Sequence, residues 1–187
     1  MSKQKTDSRE RLLAAAEKTT YRYGFGNTAI ADIAKAARIP LGNVYYYFKT
    51  KDEIGEAVVH LRHSRFRKLL QELDQADCPK ERLCAFVQIK IKNREELASS
   101  GCPVGTLCSE LRKLSGGAAG RSGILFAEAL SWMEGQFQAL GKRDESRSLA
   151  VHLLSATQGI AVLAHTFGDP SLIDMEAARL KDWIRAL

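Results

Sequence analysis

Pro40 restricts this chain more than any other residue. It lies between two short segments of helical character, Thr28–Arg38 and Leu41–Phe48, and prevents them from joining into one helix. A proline disfavours the α conformation at the residue before it, here Ile39, and has no N–H to donate. In the first segment Ile30, Ile33, Ala34 and Ala37 fall on one helical face, with Asp32 and Lys35 opposite. Thr28 is suited to cap that helix, its hydroxyl accepting a first-turn N–H. The second segment carries Tyr45, Tyr46 and Tyr47 in succession, with Lys49 and Lys51 just beyond. Two short helices joined by a tight turn form a helix-turn-helix, the unit that lays its second helix in the major groove of DNA.

The charge is concentrated where such a unit needs it. Residues 1–52 hold ten Lys and Arg against five Asp and Glu, which is +5 of the chain's net +6; the other 135 residues hold eighteen against seventeen. An excess of that sign in that place suits a phosphate backbone. Charge alone would read as a solvated basic surface, and the motif decides against that reading.

Hydrophobic residues make up 45% of the 187, enough for a packed core. No segment approaches the run of about 18 apolar residues that marks a membrane helix. The start, MSKQKTDSRERLL, is charged and lacks the apolar stretch of a secretory signal. A cytoplasmic protein without a membrane partner is expected. Cys78, Cys84, Cys102 and Cys108 form neither a CxxC pair nor a CxxC…HxxxH layout. No metal site and no cofactor is expected, and the thiols are expected to be free.

The rest of the chain also reads as helix and no strand is convincing, so the fold class is all-α. A helix at about 7–24 carries Leu12, Leu13, Ala16, Thr20 and Tyr23 along one stripe, with Gly24 and Gly26 ending it. A long helix starts near Lys51 and runs towards the DCP break at 77–79, with Ile54, Val58, Leu61, Phe66, Leu69, Leu70 and Leu73 as its apolar content. Others are expected at about 80–99, 105–114, 122–141, 145–167 and 172–187. SGGAAGRSG at 115–123 reads as a loop or frayed helix start, and GDPS at 168–171 as a turn.

The 145–167 helix is apolar or small nearly all round, so more than one side needs cover. One face can cover the chain's own core. A second copy of the chain is the simplest cover for the other, with Ala156, Gly159, Ala161 and Ala164 letting backbones approach closely. A buried central helix of a monomer is the alternative. The two-fold symmetry that operator binding favours points to a homodimer built on residues 122–167.

On these residues the chain resembles the TetR/AcrR-type transcriptional repressors. The resemblance rests on Thr28, the Ile33-Ala34 pair, Gly42, Tyr45, Phe48, Lys49 and Lys51, and extends back through RERLLAAAEKTTYRYGF and forward through KDEI. It implies a DNA-binding domain over 1–52 and a helical effector-binding and dimerisation domain over 53–187. It also implies a ligand-responsive regulator, most simply a repressor, that binds a palindromic double-stranded operator as a homodimer. In such proteins the last two long helices pair with their mates in a four-helix bundle.

The expected DNA contacts are Thr28, Leu41, Gly42, Asn43, Tyr45, Tyr46, Tyr47, Lys49 and Lys51. Asn43 is the candidate for a base-specific bond, since an amide pairs bidentately with adenine; capping or hydrating the first turn is its other role. By resemblance Tyr45 lies along the DNA backbone and Tyr47 points to the groove or a phosphate, while Tyr46 packs sideways or reaches a phosphate. Val44 and Phe48, one turn apart, belong to the core. Lys51 and the helix N-terminus it occupies suit a phosphate, as do the hydroxyl and helix-start amide at Thr28. Two positions depart from the family pattern. Arg38 replaces the frequent turn glycine and faces a left-handed backbone at some cost. Leu41 replaces a polar residue and can touch a thymine methyl but cannot read a guanine.

Further along, Phe86, Cys102, Cys108, Phe126, Trp132, Met133 and His165 are candidates to line a pocket for a small apolar or aromatic effector, although plain core is the simpler reading of each taken singly. Cys102, before Pro103 and the 105–114 helix, offers a rival: a redox- or electrophile-sensing thiol. A cysteine-dependent enzyme, with Cys102 or Cys108 served by His63, His152 or His165, lacks any motif that joins those residues. A nucleic-acid-binding protein without sequence choice is the third alternative.

Overall fold

A computed structural model describes residues 2–187, with side chains from residue 7 onward. The side chains of Lys3 and Lys5, counted in the basic excess, lie outside the described residues. The fold is all-α. Among the described residues eleven helices follow in order: α1 (Ser2–Tyr23), α2 (Ile30–Ala37), α3 (Leu41–Tyr47), α4 (Lys51–Leu73), α5 (Pro79–Lys92), α6 (Arg94–Ser100), α7 (Pro103–Arg112), α8 (Gly117–Arg121), α9 (Ile124–Ala139), α10 (Ser146–Phe167) and α11 (Ser171–Ala186). No strand occurs among the described residues.

The chain forms two compact units, residues 1–64 with 104–123, and residues 65–103 with 124–187. These differ from the expected segments 1–52 and 53–187. Packing draws the line through α4, because its first turns bury Ile54, Val58 and Val59 in the core of the helix-turn-helix. The same core takes Leu107 and Leu111 from α7 and Ala118 from α8. A segment some 55 residues beyond the helix-turn-helix along the chain is thereby part of its unit.

In the first unit, α1 contributes Leu12 and Ala16, and the helix-turn-helix contributes Ile33, Ala34, Ala37, Val44 and Phe48. Tyr23, expected on the buried stripe of α1, is 57% exposed because the helix ends there. Gly24 turns the chain with φ +83, a backbone that glycine adopts without steric cost.

In the second unit, α10 packs on α9, α11 and α6, and α5 packs on α9 and α11. Phe86, Val87, Met133, Phe137, Leu153, Leu180 and Ile184 fill its core. The single helix expected at 80–99 is two. The Asn93 side chain donates to the Ile89 carbonyl at 2.8 Å, and its φ of −109 breaks the helical path between α5 and α6. Such local side-chain bonding competes with the helix ladder. The 115–123 stretch holds the short helix α8 rather than an open loop.

Helix α10 is long and apolar enough to cross a membrane by length and composition, with a mean hydropathy of 1.3, and a third of that window is buried inside the unit. This departs from the expectation that no segment approaches that level. Its hydropathy comes largely from leucine, valine and isoleucine, and Ser155, Thr157, Gln158 and Gly159 interrupt them, so it shows no long run of large apolar side chains. Ala161 and Ala164, expected at an interface with a second copy, are wholly buried in the unit's own fold. Val151, Val162, Leu163 and Phe167 are instead 43%, 61%, 48% and 71% exposed.

Candidate nucleic-acid interface

The turn of the helix-turn-helix is built by main-chain bonds. The Arg38 N–H donates to the Lys35 carbonyl at 3.1 Å and the Ile39 N–H to the Ala34 carbonyl at 3.0 Å, the pair of bonds that closes a Schellman motif. Arg38 sits at φ 54, ψ 47, the only non-glycine residue at positive φ among those described. For a residue with a Cβ this conformation costs roughly 1–2 kcal/mol. The Arg11 guanidinium of α1 closes the end of α2, donating to the Ala37 carbonyl at 2.7 Å and the Arg38 carbonyl at 3.4 Å.

At the start of α2 the expected cap is corrected. Ala29, not Thr28, is the N-cap residue, and the Asp32 carboxylate accepts the Ala29 N–H at 2.9 Å. Thr28 is 2% exposed; its hydroxyl donates to the Gly24 carbonyl at 2.7 Å and its N–H to the Phe25 carbonyl at 3.3 Å. It holds the approach to α2 and turns neither its hydroxyl nor its amide outward.

Helix α3 separates its faces cleanly. Val44 is fully buried and Phe48 is 4% exposed, as their spacing requires, whereas Leu41, Gly42, Asn43, Tyr45 and Tyr46 are exposed. Pro40 precedes α3 with no side-chain cap. The Asn43 carboxamide makes no hydrogen bond among the described residues, so the capping alternative finds no support in the geometry. The tyrosines reverse one expectation. Tyr47, expected towards the groove or a phosphate, is half-buried against the core, while Tyr46, expected to pack sideways or reach a phosphate, is 63% exposed and so does not pack sideways into the core. Their rings meet edge-on at 5.3 Å.

Beyond α3, Lys49 folds back and its Nζ donates to the Tyr45 carbonyl at 2.6 Å. Thr50 caps α4 by accepting the Glu53 N–H at 3.1 Å, and the Glu53 carboxylate accepts the Lys49 N–H at 2.8 Å. This is a capping-box arrangement displaced by one residue. Lys51, at the first position of α4, donates from Nζ to the Gly26 carbonyl at 3.0 Å and lies 4.9 Å from the Phe25 ring centroid.

Gly26 is gripped from both sides. While Lys51 takes its carbonyl, the Glu110 carboxylate of α7 accepts its N–H at 3.0 Å. A second carboxylate, Asp52, accepts the N–H groups of Gly117 and Ala118 at 3.0 and 3.3 Å and so seats the start of α8 on α4. Glu110, Asp52 and Arg11 shape the interface without being expected to. The Gly26–Glu110 bond joins positions 84 residues apart, and nothing in the local pattern signals it.

The effector candidates do not form one group. Phe86, Phe126, Trp132 and Met133 share the second core, with the Phe86 and Trp132 rings 6.0 Å apart and the Trp132 N–H donating to Asp74 at 2.9 Å. Met133 is fully buried and Phe86 is 5% exposed. His165 is exposed, with Nδ1 3.1 Å from the Ala98 carbonyl. Cys108 belongs to the first unit, where its thiol donates to the Ser122 carbonyl at 2.7 Å; Cys102 belongs to the second and is buried. None of the four cysteines is joined in a disulfide among the described residues. The enzyme alternative gains no support from this geometry, since His165 faces a carbonyl and His152 packs edge-on against Trp183 at 4.8 Å.

Residues 12–58 match the family model described as bacterial regulatory proteins, tetR family. The transcriptional repressor NemR of Escherichia coli K12 is 30% identical over 112 residues, covering 58% of this chain and 56% of that protein. The regulator TtgR of Pseudomonas putida is 30% identical over 74 residues, 38% of this chain and 35% of that protein. The chain thus spans about half the length, or less, of these curated relatives. A TetR transcriptional regulator from Legionella pneumophila has the same fold at a TM-score of 0.83 and 23% identity, over 93% of this chain and 95% of that one. The reduced form of E. coli NemR matches at 0.79 and 21% identity, over 94% and 96%.

Proposed function

We propose, from the match of residues 12–58 to the tetR family of bacterial regulatory proteins and the likeness to NemR, that the chain is a ligand-responsive transcriptional repressor of that family, binding a palindromic operator as a homodimer. The exposed face of α3 carries this reading. Leu41, Gly42 and Asn43 stand at its solvent-facing start, and an unbonded carboxamide there has both a donor and an acceptor to offer a base edge. Tyr45 and Tyr46 present hydroxyls for phosphates, and Lys49 and Lys51 supply positive charge. One N–H of the Lys51 ammonium serves Gly26, which leaves two for a phosphate.

Asn43→Ala is expected to change the preferred base at one position of each half-site, at a cost of about 1–3 kcal/mol there. Selection of bound sequences from a random duplex pool, run in parallel for both proteins, checks this. Identical profiles would remove Asn43 from base recognition.

The effector is proposed to be small and apolar or aromatic, in keeping with the aromatic content around Phe86, Phe126, Trp132 and Met133. Thiol sensing at Cys102 is the rival. Cys102→Ser is expected to release DNA in response to an apolar ligand at the same concentration as the wild type. Release of the wild type alone by an electrophile, with no apolar ligand acting on either protein, would establish the rival instead.

A further inference from the structure

We propose that the Arg38 guanidinium is a phosphate anchor of the DNA interface, presented at the head of α3 by the left-handed backbone of the turn. The inference rests on the DNA-binding reading and adds a residue to it.

Nothing in the fold requires an arginine side chain at this position. The turn is closed by the N–H groups of Arg38 and Ile39, which any non-proline residue supplies. The carbonyls at the end of α2 are already met by Arg11. The Arg38 side chain is exposed and makes no hydrogen bond or ion pair among the described residues. Glycine would take the same φ of 54 without steric conflict. A backbone conformation held against its preference, with a side chain that repays nothing inside the molecule, directs attention to what that side chain meets outside.

Its surroundings indicate the ligand. Arg38 lies three residues before Leu41, the first residue of α3, and Lys35 is exposed on the last turn of α2. In a helix-turn-helix with α3 in the groove, the preceding helix crosses the sugar-phosphate backbone, and the turn leads from that helix to the groove-facing start of α3. A guanidinium offers five N–H donors in a planar fork matched to phosphate oxygens and remains charged at any working pH. The acidic residues of the helix-turn-helix do not compete: the Asp32 carboxylate is turned to the Ala29 N–H.

The test compares wild type, Arg38→Gly and Arg38→Lys. Each is titrated with a duplex of random sequence and with the sequence selected by the wild type, across a range of KCl, and each is melted without DNA. For Arg38→Gly the expected result is a Tm no lower than wild type. Its logarithmic salt slope should be shallower by about 0.9 per bound protomer on both duplexes, with the ratio of the two affinities retained. Arg38→Lys keeps the wild-type slope. An Arg38→Gly slope equal to that of the wild type would overturn the proposal, as would a lower Tm with an unchanged slope, which would make Arg38 a structural residue of α2. A change in preferred sequence at one position would overturn it in favour of base contact. Failure of the wild type to bind either duplex would overturn the DNA-binding reading itself, and this proposal with it.

Discussion

Replacing Val162 by glutamate should convert the proposed homodimer into a monomer and lower affinity for a two-half-site duplex by about 10²–10⁴-fold. The second figure is the avidity lost when two linked recognition units become independent. The effect follows from the two faces of α10. Its inner face, Ala150, Leu153, Leu154, Thr157, Ala161 and Ala164, is buried in the unit's own core. On its outer side Val151, Val162, Leu163 and Phe167 remain 43–71% exposed. Exposed apolar side chains spaced along one helix mark a surface that another protein covers. A two-fold contact places the same patch of both copies together, so a single glutamate enters the interface twice and must be desolvated beside its own counterpart. Light scattering gives the mass and fluorescence anisotropy gives the affinity. A Val162→Glu protein that remains dimeric at micromolar concentration would place the interface elsewhere.

Phe25→Ala should cost about 3–5 kcal/mol, a large part of the total stability of a domain this size. Phe25 is 2% exposed in the core shared by α1, α2, α3 and α4. Its ring occupies the space left by the missing side chain of Gly55, where a Cβ would lie 2.9 Å from the ring Cζ. The Lys51 ammonium covers the ring at 4.9 Å. Truncation opens a cavity that the helices cannot close and removes the cation's partner. The sequence provides a reporter for each unit. All five tyrosines lie at positions 21–47, in the first unit, and both tryptophans, Trp132 and Trp183, lie in the second. Guanidinium unfolding followed at tyrosine should shift to lower denaturant. A tyrosine transition unchanged from wild type would contradict this packing.

What the sequence made legible was whatever is decided locally. The turn at Pro40, the burial of Val44 and Phe48 and the exposure of Asn43 follow from spacing and residue type over fewer than 15 positions, whereas the left-handed backbone at Arg38 was implied only by the resemblance to a family that often has glycine there. Local competition was harder to read. At Thr28 the hydroxyl had a choice between capping α2 and bonding back to Gly24, and the geometry of the Gly24 turn decides for the second. Asn93 posed the same difficulty in the 80–99 segment, where its side chain takes the Ile89 carbonyl and divides the helix. Tyr46 and Tyr47 are adjacent on one helix, and which of them meets the core depends on how α3 is rotated against its neighbours. The carboxylate bonds from Glu110 to Gly26 and from Asp52 to Gly117 were illegible in principle. They depend on which distant segment packs against the helix-turn-helix, and no periodicity encodes that choice. The effector candidates scattered for a related reason: burial of an aromatic residue looks the same in sequence whether it faces a ligand or another side chain.

The central claim is that α3 reads a two-fold symmetric DNA sequence. Incubating the purified chain with a pool of random duplexes, and sequencing what it retains through successive rounds, tests it most directly. The expected result is an inverted repeat whose half-site centres fall one helical turn apart, roughly 34–36 Å, or a multiple of it. Retained sequences with no common element, or with a single element lacking a symmetric partner, would contradict it.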